Sequence, residues 1–437
     1  MAGQARGLIG TSSIYALGLG LNRVLDFALL PLYTNFFEPS EYGAVALTLT
    51  LLAFGHIVYA MGFGPAFIWY FTTHAGEQRD RMFSGATLVL LISALILSAV
   101  VCGFAPAVGG LFGLENRCLL VDLAAGVLVL DVLTLLPYSL LRAEARAGVF
   151  VACTFATTVV QVCLTAALIL FAGMGAEGIF IAMVASSSVN VVLVTWQVRR
   201  HFRFRGPFVF PRELLRFGLP FVPAGLATVA VELIDRIILE RLLGTEVVGV
   251  YSAGYRIAAV MGLLVKAFDY AWMPYLLEHR NDAARTARGT LMRFGVLAGV
   301  LWLGFWFYGD ALLGIQLYGR NIIGPAYRAG AVIIPTIMFG YILAGMAEIT
   351  MAGVYVRGRA GIVPVAAITA AVVNIGGNYA LIPVYGMIGA AYATVGAYGV
   401  LSAILFLYTR RALRPGQEDV QSNRGTYADE IPGGSGQ

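Results

Sequence analysis

A chain of 437 residues that is 59% hydrophobic and only 12% charged has too few charges to cover a water-facing surface, because a soluble globule averages about 25%. With a mean hydropathy of +0.81, its exterior must face lipid. The net charge of +5 does not point to nucleic acid: every basic residue except Lys266 is arginine, and the arginines gather at the ends of apolar runs, which is a topology signal and not a binding stripe.

A bilayer core about 30 Å thick takes about 20 apolar residues per helix. Runs of that length, bounded by charge or turn residues, predict an all-α polytopic membrane protein with about twelve spans. In chain order they cover 8–36, 42–71, 82–104, 118–141, 148–172, 175–198, 217–243, 247–277, 289–308, 329–356, 361–382 and 386–409. The first run is too long for a signal-peptide core and is interrupted by Arg23 and Asp26, so it reads as a span. The polar tail, 411–437, is rich in Gly and Pro and is expected to be disordered.

Alternate loops differ sharply in basic residues, as the positive-inside rule requires. With a cytoplasmic N-terminus, 21 of the 29 Arg and Lys residues lie in inner segments and only Arg117, Arg241, Arg320 and Arg328 in outer ones; Arg23, Arg236, Arg256 and Lys266 lie within spans. One span more or fewer would scramble this alternation, so an even number with both termini inside is expected. The longest inner loop, 199–216, separates six spans from six and predicts two bundles, 1–198 and 217–410, on either side of a cytoplasmic linker. Both halves open alike, with LNRVLDFALLPLYTNFFEPSEYGAVAL in the first and VELIDRIILERLLGTEVVGVYSAGYRI in the second. Each has an Asp in a long helix, an outer turn with Glu and Gly, then a helix with Tyr near its start. Two copies in the same orientation give a pseudo-twofold axis along the membrane normal, with the substrate site expected at their interface.

Ionisable residues inside spans are costly and usually face a wet cavity or a partner. Arg23 and Asp26 lie in span 1, Glu232, Asp235, Arg236 and Glu240 in span 7, and Arg256, Lys266 and Asp269 in span 8, while Asp131 and Glu348 are the other deep acids. At 1.5 Å per residue, Arg236 and Arg256 fall roughly 10 to 14 Å below the outer surface, with Arg23 and Lys266 nearer the middle. The four cations Arg23, Arg236, Arg256 and Lys266 would form a ladder along a cavity wall, suited to an anionic head group. Local pairing is the alternative: Arg23 with Asp26 and Lys266 with Asp269 are spaced i,i+3, and Arg236 is four residues from both Glu232 and Glu240, all within reach on one helix face. Tyr251, Tyr255, Phe268, Tyr270 and Trp272 can stack on sugar rings or serve as packing.

The chain has no G-x-x-x-x-G-K-[ST], G-x-S-x-G or H-E-x-x-H motif, so no nucleotide hydrolysis or hydrolase chemistry is indicated. No catalytic residue, metal site or cofactor is expected. His56 stands alone in span 2, and Cys102, Cys118, Cys153 and Cys163 lack metal or redox spacing; Cys102 and Cys118 flank one outer loop.

The segments NRVLDFALLPLYTNFFEPSEYGAVAL (22–47) and DRIILERLLGTEVVGVYSAGYRIA (235–258), together with the twelve-span plan, resemble the Wzx-type polysaccharide flippase family of the multidrug/oligosaccharidyl-lipid/polysaccharide exporter superfamily. The resemblance implies a V-shaped pair of six-helix bundles that opens alternately to either side. It further implies transport of a polyprenyl-diphosphate-linked oligosaccharide out of the cytoplasmic leaflet of a bacterial inner membrane. Arg23, Arg236, Arg256 and Lys266 would then meet the diphosphate or acidic sugars. Asp26, Asp235 and Asp269, with the deep acids Asp131 and Glu348, would pair with the cations or couple an ion. The implied partners are membrane lipids, a polysaccharide polymerase and a chain-length regulator. The rival of the same fold is a cation-coupled multidrug and toxin extruder, and the rival of another class is a membrane glycosyltransferase or ligase.

Overall fold

The computed structural model describes residues 18, 20–22, 24–25, 27–74, 76–203, 209–278, 283–313, 316–317, 320–351, 354 and 361–412. In chain order the helices are α1 (Leu30–Phe36), α2 (Pro39–Ala60), α3 (Phe63–Thr73), α4 (Gly76–Gly103), α5 (Ala105–Leu111), α6 (Cys118–Ala143), α7 (Ala147–Leu170), α8 (Ala176–Val198), α9 (Arg212–Gly218), α10 (Phe221–Leu243), α11 (Thr245–Glu278), α12 (Ala283–Leu313), α13 (Ile334–Thr350), α14 (Ile362–Tyr385) and α15 (Met387–Ala412). A 3-10 segment, Pro325–Ile333, leads into α13. The hairpin β1 (Gln316–Leu317) and β2 (Arg320–Asn321) pairs Gln316 with Asn321 and Leu317 with Arg320. Helix dominates because a segment in hydrocarbon must satisfy its backbone hydrogen bonds internally.

Among the described residues, ten helical stretches are long and apolar enough to cross a membrane, and the bent pair α9 and α10 makes an eleventh. These correspond one for one to predicted spans two to twelve. Of the first predicted span, residues 8–17, 19, 23 and 26 lie outside the described residues, as does most of the tail expected to be disordered. α12 shows what the lipid-facing surface looks like: Val296, Leu297, Trp306 and Phe307 are all exposed, tolerable for apolar side chains only where the surroundings are not water.

Two local breaks shape the spans. Met61 (φ 46°) and Gly62 (φ 71°) adopt left-handed backbone between α2 and α3, a conformation glycine accepts without steric cost. The α9–α10 break bends that span by 43°. The two breaks face each other, with Gly62 so close to the carbonyl of Gly218 that no Cβ would fit.

Helix contacts fall into two groups. α6 packs on α2, α3, α4 and α8, and α8 on α7; α14 packs on α10 and α15, and α13 on α11, α12 and α15. The groups meet where α2 lies against α10 and α11, and where α3 meets α9. All four cysteines are free, including the pair flanking the α4–α6 connection.

Candidate transport pathway

The seam between the two groups of helices is built on glycine. A Cβ on Gly43 of α2 would collide with the carbonyl of Thr245, the first residue of α11; a Cβ on Gly249 of α11 would collide with the carbonyl of Pro39, the first residue of α2. Each glycine lies four residues into its helix, so the two contacts exchange under a twofold rotation. Small residues that let backbones approach in this way are the usual means by which membrane helices pack closely. Further along the same end, Asn35 Nδ2 donates to the carbonyl of Asn321 (2.9 Å), and Tyr327 Oη donates to the carbonyl of Phe37 (3.0 Å).

An ionic lock stands beside this seam. Arg117 Nη2 donates to Glu41 Oε2 at 2.6 Å and its Nη1 lies 3.6 Å from Glu177. The other oxygen of Glu41 accepts from the backbone N–H of Ala176 at 2.7 Å, satisfying an orphan donor at the start of α8. The Glu41 carboxylate, through its hydrogen bond, holds the Arg117 guanidinium above the ordinary arginine range.

Of the predicted intramembrane cations among the described residues, Arg236 is the most buried. Its side chain is 8% exposed and that of Asp235 0%. Arg236 Nη1 donates to Asp235 Oδ1 (3.1 Å) and to the carbonyl of Glu232 (2.8 Å), while Tyr251 Oη donates to Asp235 Oδ2 (2.5 Å). The guanidinium sits 4.4 Å above the Tyr255 ring, in cation–π range, and the Tyr255–Tyr341–Tyr398 series continues at centroid separations of 6.1 and 6.2 Å. The charge is thus answered by its sequence neighbour and by aromatic faces. The expected i,i+4 partner Glu240 forms no ion pair with Arg236 among the described residues, because it extends to the α5–α6 connection, against Gly113. Tyr251 and Tyr255 line this cage.

The remaining predicted residues are dispersed. Arg256 lies 5.6 Å from the Tyr33 ring, across the seam. Lys266 is 64% exposed and its Nζ lies 3.6 Å from Glu348 of α13. The expected i,i+3 partner Asp269 forms no ion pair with Lys266 among the described residues, since the ammonium leans towards the neighbouring helix. Arg23 and Asp26 lie outside the described residues, as does the side chain of Tyr270, and Phe268 stacks on the buried Trp272.

Two groups escape sequence reading. Asp131 of α6 is joined to His56 of α2 (Oδ2 to Nε2, 2.9 Å) and accepts from Ser187 of α8 at Oδ1 (2.6 Å), so the expectation that His56 stands alone is corrected. The signal available was depth: both residues lie near the middle of their spans. The second group is a cavity of about 550 Å³ between α3 and α6, lined by Gly64, Pro65, Ile68, Trp69, Leu135 and Arg142. Trp69 stacks on Phe217 of α9 at 4.9 Å, so this cavity borders the seam at the end opposite Gly43.

A family model described as polysaccharide biosynthesis protein matches residues 34–304. No curated protein sequence matches the chain. Among solved structures, the lipid II flippase MurJ in an inward-closed conformation is similar with a TM-score of 0.77 at 14% identity, covering 91% of this chain and 87% of that one. An inward-facing multidrug resistance MATE family transporter of the MOP superfamily follows at 0.69 and 17%, covering 93% and 96%. A MOP superfamily transporter from Pyrococcus furiosus, whose title speaks of a reversed binding-pocket polarity, gives 0.64 and 16%, covering 93% and 95%.

Proposed function

Because the chain belongs to the polysaccharide biosynthesis protein family, we propose that this multi-pass membrane protein is a flippase that moves a polyprenyl-diphosphate-linked oligosaccharide from the cytoplasmic to the outer leaflet by alternating access. The observation that carries this reading is the family match across residues 34–304 on a fold shared with MurJ. The reciprocal Gly43 and Gly249 contacts supply a physical means. Two lobes, 1–198 and 217–410, joined by the linker 199–216, close by backbone approach at one end and part there when the other end shuts. With both termini cytoplasmic in a bacterial inner membrane, the glycine seam is the outer gate and the Gly62–Gly218 break the inner hinge.

In this reading Arg256 and Lys266, with Arg23, meet the diphosphate as the seam opens, and Arg236 serves the same path once its tyrosine cage parts. Asp26, Asp235, Asp269, Asp131 and Glu348 hold these charges or couple an ion. Basic residues along the path suit an anionic head group and disfavour cationic drugs. The test is transfer of a fluorescent undecaprenyl-diphosphate disaccharide across proteoliposomes, with Arg256→Ala and Lys266→Ala compared with the parent. Loss of transfer in the variants with retained folding supports the assignment; no transfer by the parent overturns it.

A further inference from the structure

Three helices bring one polar side chain each to a single point near mid-span: His56 on α2, Asp131 on α6 and Ser187 on α8, with Asp131 bonded to both others. With Asp131 ionised, the carboxylate only accepts hydrogen bonds, and in that state His56 Nε2 carries the hydrogen shared with Asp131, leaving Nδ1 as the atom that takes or releases a proton. Without that proton the group holds one net negative charge at a depth where charge is costly. With it, the imidazolium and carboxylate form a neutral pair. Imidazole is the side chain whose charge most readily changes near neutral pH, and here its side chain is 44% exposed.

The group lies one helical turn from a cavity and on a helix of the seam. Leu135, one helical turn from Asp131, lines the 550 Å³ cavity that borders the seam. Ile57, the residue after His56, packs against Gly225 of α10, and α2 is the helix whose other end closes against α11. Ionisable groups on neighbouring elements include Tyr59 on α2, bonded to Ser98 of α4; Cys102 on α4; Asp122, Tyr138 and Arg142 on α6, with Tyr138 bonded to Asn190 of α8; Glu232, Asp235 and Arg236 on α10; and Tyr251, Tyr255 and Arg256 on α11. Of these Asp235 and Arg236 already neutralise each other.

We propose that His56, Asp131 and Ser187 form a proton-binding site whose occupancy sets how α2 is held against α6 and α8, so that a proton gradient drives the movement of the seam. Binding adds one proton at Nδ1 and breaks no bond. What the proton drives rests on the flippase reading; that the site binds a proton does not.

The test begins without substrate. Proteoliposomes on a solid-supported membrane are stepped from about pH 8 to about pH 5, across the histidine range, and the transient displaced charge is recorded. His56→Gln keeps an amide donor for Asp131 but cannot take the proton, and is expected to lose at least about four-fifths of the parent's charge displacement, as is Asp131→Asn. Gel filtration and thermal unfolding check that both variants are folded; should Asp131→Asn fail to fold, His56→Gln decides. Parent-like charge displacement in His56→Gln, or none in the parent, overturns the proposal. A second arm follows a fluorescent undecaprenyl-diphosphate disaccharide with and without a pH gradient. Gradient-accelerated transfer in the parent and gradient-independent transfer in His56→Gln support the coupling. Gradient-accelerated transfer retained in His56→Gln overturns it. Absence of all transfer with intact charge displacement keeps the proton site and removes the flippase reading.

Discussion

Gly43 and Gly249 make the same contact with each other's helices in exchange: each admits the carbonyl of the partner helix's first residue into the space a side chain would occupy. A single methyl on either glycine should therefore wedge this end of the seam. Overpacking of this kind costs about 1–3 kcal/mol, and because the contact exists only when the seam is shut, the cost falls on the closed state. Gly249→Ala should raise the reactivity of a cysteine placed at the buried Ser252 position several-fold towards a membrane-impermeant maleimide, and Gly43→Ala should do the same. Unchanged labelling rates in both would mean that the seam does not open there.

The Asp235–Arg236 pair makes an opposite kind of prediction. Both side chains are almost fully enclosed, so removing one partner leaves a buried charge without its counterion, a loss of about 3–5 kcal/mol. Arg236→Leu should lower the melting temperature in detergent strongly, and Asp235→Leu likewise. The double replacement should cost clearly less than the two added together, because it removes both charges. Additive losses in that cycle would show that the pair is not energetically coupled.

The span pattern was readable because lipid imposes one demand, length and apolarity, on every crossing helix. The repeated turn with Glu and Gly was also visible, as SEYG in one half and TEVVG in the other, and those glycines are the two that meet at the seam. The site was less legible because helical spacing reports only neighbours on one helix. Arg236 is met from α11 by Tyr251 and Tyr255, Lys266 by Glu348 of α13, and Asp131 by a histidine 75 positions away. Such pairings depend on how helices are arranged around one another, which local periodicity does not encode.

Glu41 does two tasks with its two oxygens, so its loss should exceed that of its ionic partner. Arg117 is 37% exposed, and a pair of that kind contributes about 0.2–1 kcal/mol and weakens with salt. Glu41→Ala also strands the N–H of Ala176, which adds about 1 kcal/mol. Thermal unfolding in low and high salt should therefore show a small, salt-sensitive loss for Arg117→Ala. Glu41→Ala should show a larger loss, part of which persists in high salt. Equal losses would mean that the helix-terminal bond contributes nothing.

At the opposite end, His201 stands between two acids, with Nδ1 2.8 Å from Asp80 of α4 and Nε2 3.1 Å from Glu144 at the end of α6. Arg146 and Arg203 stand near the same acids at 3.6 and 4.0 Å, so replacing the histidine does not leave Asp80 and Glu144 wholly uncompensated. What it removes is a group that reaches both acids from the segment following α8. His201→Ala should accordingly change overall stability by under about 1 kcal/mol while loosening that attachment. Limited trypsin digestion in detergent, read by mass spectrometry, should show cleavage at Arg203 and Arg212 several-fold faster than in the parent. Cleavage at the parent's rate would place the restraint elsewhere, in the backbone bond from Arg203 to Ser84 Oγ (2.7 Å), and Ser84→Ala should then reproduce the acceleration that His201→Ala failed to give.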